Sequence, residues 1–447
     1  MAGYHSGAPS HPSSLNESML LPRPFPALAG AVAAVLTVSA CHSGQPGPVS
    51  RSGATDTAAI RRDIAYLASN ALEGRGTGTP GNDSAAAYIA RQYASLGLAP
   101  VEQKFVARSV AAQRAGLPAE LQTQNVYAIA RGTDSALRGQ FVVIGAHFDH
   151  LGRSSLNALD PDSGTAIRPG ADDNASGTAA VIELARIFTA RPTRRSLVFV
   201  NFSGEELGVL GSQYFLEHPP VPVEQMVAML NFDMVGRLRD NHLLVYGVTT
   251  ATELRAIVDS ANTPPPGPFA LKAIGDGFGP SDHASFYARN VPVLQFFTDI
   301  HEDYHRSTDV ASKINVPGEG RVVDYAERIA RDIADRPERL TFFRSPVGAP
   351  TMGSGAGNGA YFGSVPDMGA TDVQGVRLAG VTPGSPAEKA GAKTGDVIVE
   401  FGGVPVGDLY QYSDALKAHR PGDVVQIVVL RNGERVTLTA TLGTRGT

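Results

Sequence analysis

Seven side chains in this sequence could together hold metal and activate water. They are His147 and Asp149 in Ala-His-Phe-Asp-His, Asp173 in Asp-Asp-Asn-Ala-Ser-Gly, Glu205 and Glu206 in Ser-Gly-Glu-Glu-Leu, Asp233 in Asn-Phe-Asp-Met, and His305 in Asp-Tyr-His-Arg-Ser-Thr-Asp. Water at neutral pH is a poor nucleophile, so cutting an amide needs one group to deprotonate it and another to polarise the carbonyl. Two zinc ions and a carboxylate base would supply both. Zinc accepts imidazole nitrogen and carboxylate oxygen at about 2.0–2.2 Å, and a shared carboxylate with a shared water can hold two ions roughly 3.5–4 Å apart. Glu205 and Glu206 are adjacent and cannot easily ligate one ion with the same geometry. One of them is therefore expected to bind metal while the other faces the water.

Each motif alone is weak. A His-x-Asp after a strand is ordinarily a hydrogen-bonded structural pair, a Glu-Glu pair is ordinarily a solvated helix start favoured by the helix dipole, and Asp-Asn-Ala-Ser-Gly could be no more than a turn with a helix cap. What joins them is where the surrounding elements must put them. Phe141-Val142-Val143-Ile144 and Leu197-Val198-Phe199-Val200 are unbroken β-branched and aromatic runs, the pattern of strands buried on both faces. Helix-like spacing from Ala179 to Phe188 lies between them, and apolar strands follow at Val227 to Phe232, Leu243 to Tyr246 and Val291 to Phe297. The alternation predicts an α/β domain with a mainly parallel central sheet flanked by helices. In such sheets ligands bind beyond the carboxyl ends of the strands. His147 follows the run ending at Ile144, Glu205 and Glu206 follow the run ending at Phe202, and Asp233 closes the run ending at Phe232.

In these residues the chain resembles the co-catalytic zinc exopeptidases that include bacterial leucyl aminopeptidase, aminopeptidase Y and glutamate carboxypeptidase. The likeness covers roughly residues 55 to 340 and includes Leu72-Glu73-Gly74-Arg75-Gly76-Thr77-Gly78. It implies a site of two Zn2+ in which Asp173 bridges both ions, His147 and Asp233 complete one side, and Glu206 and His305 complete the other. It also implies that Glu205 is the general base, that Asp149 fixes the tautomer and orientation of His147, and that the Asp173–Asn174 peptide is cis. His301 is the rival to His305 as the last ligand. His283, in Ser281-Asp282-His283-Ala284-Ser285-Phe286, is expected beside the metals at a helix start.

The resemblance implies an exopeptidase, foremost an aminopeptidase removing N-terminal residues from peptide substrates, with carboxypeptidase action on the same site left open. A catalytically inactive peptide-binding protein on this fold would be expected to have lost ligands, and none is missing. Retention of both His147 and Asp233 argues against a one-metal glutaminyl cyclase.

A second domain follows a Gly-rich joint. Tyr361-Phe362-Gly363-Ser364-Val365, the stretch from Val381 to Gly391 and Gly395-Asp396-Val397-Ile398 resemble a PDZ domain of bacterial protease type. Such a groove binds an extended chain as an added strand, with the backbone of Tyr361, Phe362 and Gly363 receiving a peptide's C-terminal carboxylate. A helix from about Leu409 to Ala418 should wall the groove, and strands Val424 to Leu430 and Arg435 to Ala440 should flank an Asn432-Gly433 hairpin turn.

The chain has 447 residues, a formal charge of −5, 43% apolar and 18% charged residues, enough for two cores and without the basic excess of a nucleic-acid-binding protein. Its single cysteine, Cys41, excludes an internal disulfide framework. Ala27 to Val38 is an uncharged signal-peptide core preceded by Arg23, and Val38-Ser39-Ala40-Cys41 resembles a bacterial lipobox, which implies cleavage before Cys41 and a lipid anchor on its sulfur. The expected organisation is a lipoprotein-type signal peptide (1–40), a flexible tether (41–54), a zinc peptidase domain (55–343), a Gly/Pro/Ser linker (344–358) and a PDZ domain (359–443), exported and anchored in the cell envelope facing the periplasm.

Overall fold

The computed structural model describes residues 54–344 and 360–444, apart from short segments, chiefly 161–163, 264–267, 367–372 and 408–410. The signal peptide, Cys41, the tether as far as Gly53 and the linker from Ser345 to Gly359 lie outside the described residues. Among the described residues, no helix is long and apolar enough to cross a membrane.

In chain order the first domain runs α1 (Thr57–Leu67), α2 (Pro80–Ser95), β1 (Val101–Ala107), β2 (Leu121–Ala130), β3 (Phe141–His147), α3 (Gly177–Ala190), β4 (Ser196–Phe202), α4 (Leu210–Glu217), β5 (Met226–Phe232), β6 (His242–Tyr246), α5 (Leu254–Ala261), β7 (Ala270–Ala273), α6 (His283–Ala288), β8 (Val293–Phe297) and α7 (Val316–Asp335). The strands form one sheet in the order β1-β2-β4-β3-β5-β8-β6-β7. Its centre is parallel, β4 with β3, β3 with β5 and β5 with β8, while β1, β2 and β6 join antiparallel to their inner neighbours. Every residue of β4 and β5 is buried, as their unbroken apolar runs require.

The helices are built to cover that sheet. α3 is buried almost all round, from Gly177 to Phe188, which places it in the interior beneath β3 and β4. α7 is amphipathic and buries Val322, Val323, Ala326, Ile329, Ala330 and Ile333. It starts at Asn315, whose side chain accepts from the Gly318 N–H, with Pro317 in the first turn, where a missing N–H costs nothing. α2 starts the same way, with Thr79 capping and Pro80 in its first turn.

Two strands stand out from the sequence pattern. β2 carries Thr123, Gln124 and Asn125 at buried positions, where Thr123 donates to Asn82 Oδ1 (2.8 Å) and Asn125 to the Gly211 carbonyl (2.8 Å). A polar run satisfied in this way conceals the strand from any reading of apolar periodicity. β8 begins at Val293 instead of Val291, because Pro292 has no N–H to give the ladder.

The second domain contains β9 (Ala360–Tyr361), β10 (Ser364–Pro366), β11 (Val376–Val381), β12 (Val397–Phe401), β13 (Val404–Pro405), β14 (Val424–Arg431), β15 (Glu434–Thr441) and β16 (Gly443–Thr444). Strands β10-β11-β12-β14-β15 make one sheet with β13 on β12, and β16 pairs β9. Phe362, Leu378, Ile398, Phe401, Ile427 and Val429 fill its core. Asn432 (φ 53°) and Gly433 (φ 86°) both adopt positive φ between Arg431 and Glu434, as a two-residue hairpin turn demands. The expected groove helix falls partly outside the described residues, with Gln411, Tyr412, Ala415 and Leu416 helical.

Candidate metal centre

Because β3, β4 and β5 run parallel, their carboxyl ends share one edge, and that edge carries the candidate residues. His147 ends β3, Glu205 and Glu206 follow β4, and Asp233 follows β5. Asp173 comes from the irregular turn Ala171–Ser176 ahead of α3, and its peptide bond to Asn174 is cis. His305 comes from the loop after β8. His147 Nε2 lies 3.4 Å from Asp233 Oδ1, 3.5 Å from Asp173 Oδ1 and 3.9 Å from Glu205 Oε2. His305 Nε2 lies 3.2 Å from Asp173 Oδ2 and 3.4 Å from Glu206 Oε2. Asp173 thus turns one oxygen to each of two donor groups. His301, the rival to His305, is elsewhere, with its Nε2 3.1 Å from Asp172 Oδ2, and His283 begins α6.

The far nitrogens of the two imidazoles are tied down. His147 Nδ1 lies 3.2 Å from the Asp149 carbonyl oxygen, and His305 Nδ1 lies 2.8 Å from the Asn157 carbonyl oxygen. An N–H donated to a carbonyl leaves Nε2 as the nitrogen that a metal would take once the ring is neutral. The expectation for Asp149 needs refining here. Its carboxylate is 3.7 Å from His147 Nδ1, farther than its own carbonyl, and is engaged instead by the Thr77 hydroxyl (2.8 Å) and the Glu205 N–H (3.2 Å). Asp149 therefore holds His147 through its carbonyl with its carboxylate close by, and that carboxylate also takes the Glu205 N–H.

Burial shapes the electrostatics. His147, Asp149, Asp173, Glu205, Glu206 and His305 are all buried, with Asp233 partly so. Burial, reinforced by Glu206, Asp233 and Asp282 and opposed by His147, pushes the Glu205 carboxyl well above its ordinary range. Burial acts against charge on His305 too, but Glu206 and Asp173 lift it to about 9, and Glu205 and Asp233 raise His147 as well. Asp173 goes the other way: His150, His305 and His147 outweigh its burial and hold it below the usual carboxylate range. A pocket in which buried carboxylates draw protons onto imidazoles is one that favours cations.

The atoms left unpaired fit the same conclusion. Glu206 Oε2 is buried without a hydrogen-bond partner and faces His305 Nε2. Donor atoms of His147, Glu205 and Asp233 lie within 4.8 Å of one another, as do those of His150, Asp173 and Glu206. Mixed imidazole and carboxylate donors suit a transition ion such as zinc better than the all-oxygen coordination of calcium or magnesium.

Several residues that hold this site were not singled out from the sequence. Arg75 is fully buried and donates to the carbonyls of Phe148 (2.8 Å), Pro169 (2.6 Å) and Gly170 (2.9 Å), pinning the His147 turn to the Asp173 turn. Asp309 Oδ2 accepts the N–H groups of Asp172 and Asp173 (2.9 and 3.1 Å). Asn174 bonds the Phe232 carbonyl (2.9 Å) and accepts from the Gly177 N–H (2.9 Å), stapling the turn to the end of β5. Asn157 donates to the Glu206 carbonyl (3.2 Å) as well as accepting from His305. Leu72 to Gly78 and Ser307-Thr308-Asp309 marked the places of Arg75 and Asp309; nothing in the sequence marked Asn157.

Residues 125–330 match the sequence profile of peptidase family M28, and residues 356–442 match that of a PDZ domain. The chain carries an M28 peptidase domain followed by a PDZ domain. The M28 match runs from β2 into α7 and includes every donor of the cluster, while Arg75 and Thr77 precede it. Over 135 residues the chain is 30% identical to aminopeptidase YwaD of Bacillus subtilis, covering 29% of this chain and 28% of that protein. Over 159 residues it is 33% identical to a probable leucine aminopeptidase of Trichophyton verrucosum, covering 34% and 40%. It thus spans well under half the length of either relative. The structure of BSAP, a zinc aminopeptidase from Bacillus subtilis, superposes with a TM-score of 0.53 at 16% identity, over 65% of this chain and 99% of that one. The M28 domain therefore has the zinc exopeptidase fold. In the PDZ domain, Tyr361 ends β9, Phe362 is buried against Phe401, and Gly363 has φ 90° with Ser385 packed where a Cβ would go. The Phe362 carbonyl accepts the Ala387 N–H at 2.7 Å, which fixes the loop to the helix start after Ser385.

Proposed function

We propose that this protein is a zinc-dependent exopeptidase acting as an aminopeptidase, with two zinc ions in the M28 domain. The observation that carries the reading is Asp173 facing two donor groups at once, with buried Glu205 beside them. His147 and Asp233 would hold one ion and Glu206 and His305 the other, with Asp173 shared. Bound zinc supplies Lewis acidity, polarising a peptide carbonyl and acidifying water. Glu205 takes the proton from the attacking water and delivers it to the leaving amine nitrogen. Asp149 keeps Glu205 in reach through the Glu205 N–H, and Thr77 in turn holds Asp149. Aminopeptidase polarity is supported by the activities of the relatives named above.

The PDZ domain is read as a module that captures peptides by their C-termini at Tyr361, Phe362 and Gly363, and Cys41 as a lipid anchor in the cell envelope. Metal analysis of the purified protein, paired with assays on N-blocked and unblocked peptides, tests the central reading. Two zinc ions per chain and release of free residues from unblocked peptides alone are expected. Release from N-blocked peptides with free C-termini would instead identify a carboxypeptidase.

A further inference from the structure

Resting on that two-ion reading, we propose that His150 is a positioning residue that holds Glu206 so that a single oxygen faces the metal. His150 Nδ1 lies 2.7 Å from Glu206 Oε1, and the nearest other carboxylate oxygen, Asp173 Oδ2, is 3.7 Å away. An Nδ1–H donated to Oε1 is a short charge-assisted hydrogen bond, whereas the opposite tautomer would turn a lone pair on a carboxylate. The bond divides the labour of Glu206. Oε1 is held by His150, and Oε2, buried and without a hydrogen-bond partner, is the oxygen turned to His305 Nε2 at 3.4 Å.

His150 is thereby set apart from the other two imidazoles. His147 and His305 hold backbone carbonyls through Nδ1 and present Nε2 to the carboxylates. His150 presents Nδ1, and its Nε2 is buried without a hydrogen-bond partner. Its ring packs between Gly170 and His305. A Cβ on Gly170 would fall within 2.5 Å of the ring's Cγ and Cδ2, the His150 N–H donates to the Arg75 carbonyl (3.3 Å), and the His305 ring stands edge-on at 5.8 Å. A carboxylate without this partner could rotate and take an ion through both oxygens or release it.

Cobalt(II) titration of the metal-free full chain, followed by the visible absorption of the bound ion, tests the proposal. His150→Ala removes the donor, and His150→Asn restores an amide N–H near the position of Nδ1. Wild type should take up two equivalents. In His150→Ala one equivalent should weaken by about 10- to 100-fold with a changed spectrum, the other should stay as in wild type, and His150→Asn should recover most of the loss. Circular dichroism of the metal-free proteins checks the fold. If the alanine variant does not fold, His150→Leu, which fills the ring's space without a donor, takes its place. Wild-type affinity at both equivalents in the donorless variant, or equal weakening in it and His150→Asn, overturns the proposal. A wild-type protein that takes up no cobalt overturns the two-ion reading as well.

Discussion

The backbone N–H of Glu205 donates to the carboxylate of Asp149 at 3.2 Å, so the residue next to one donor and the residue two places beyond another move as a unit. Glu205 owes its position to the end of β4, Asp149 to the end of β3, and the bond between them spans the gap between parallel neighbours. In the proposed mechanism this link fixes the backbone from which the base projects toward the donors.

Replacing Glu205 by Gln tests the role assigned to it. The amide keeps the size and the backbone contact of Glu205 but cannot exchange a proton. Bound metal should stay near wild type while turnover drops on the order of 10²-fold or more. Metal analysis beside steady-state kinetics checks this, and unchanged turnover would remove Glu205 from the mechanism.

Asp149→Ala should behave differently, because it frees the Glu205 N–H and disturbs the turn that holds His147. We expect metal affinity to fall by about 10- to 100-fold together with turnover. Thr77→Val, which deletes only the 2.8 Å hydroxyl contact to Asp149, should reproduce a weaker version of the same pattern. Chelator competition resolves the two. A loss of turnover with metal affinity intact in Asp149→Ala would assign Asp149 to Glu205 alone.

Asp63, on α1 away from the cluster, sets a pH dependence of stability. Burial raises its carboxyl from 3.8 to about 6, against the opposing Tyr88 hydrogen bond (2.7 Å) and the Arg186 charge. The folded state holds this proton more tightly than the unfolded chain does. Its contribution is therefore fully present below about pH 3.8 and is lost as pH rises through about 6. Asp63→Asn removes that loss, so the Tm of the variant relative to wild type should rise between pH 4 and 7. Thermal melts across this range decide it, and a constant or falling difference would contradict the assignment.

Truncation after Phe343 separates capture by the PDZ domain from mere support. A capture role predicts a higher KM for long peptides and unchanged hydrolysis of a dipeptide-sized substrate. Equal loss on both substrates would show that the domain only sustains the fold.

The donors themselves were legible because strand-ending motifs at a parallel sheet edge have few other reasons to coincide. Asp173 could be told from Asp172 only through resemblance, and the structure separates them plainly: Asp172 turns to Ser176, Gly236 and His301, and Asp173 turns to His147 and His305. His150 stands in the same five residues as His147, but its use depends on a side chain over fifty positions away in sequence. β1 and β2 were missed for a related reason. One is an exposed edge with Glu102, Gln103 and Lys104, and the other buries polar groups whose partners only tertiary structure supplies. Local patterns report burial well, but they do not report which distant atom satisfies a buried one.

The straps at Asn157 and Asp309 have a consequence for the nascent chain. The second donor group closes only when the loop after β8 returns to the turn before α3, a contact across more than a hundred residues whose loop entropy must be met by the finished core. A chain halted before residue 305 has no His305, no Asp309 and hence no completed pocket. Hydrolytic competence would then wait on the return of this loop, and a molecule without it would be inert toward its neighbours.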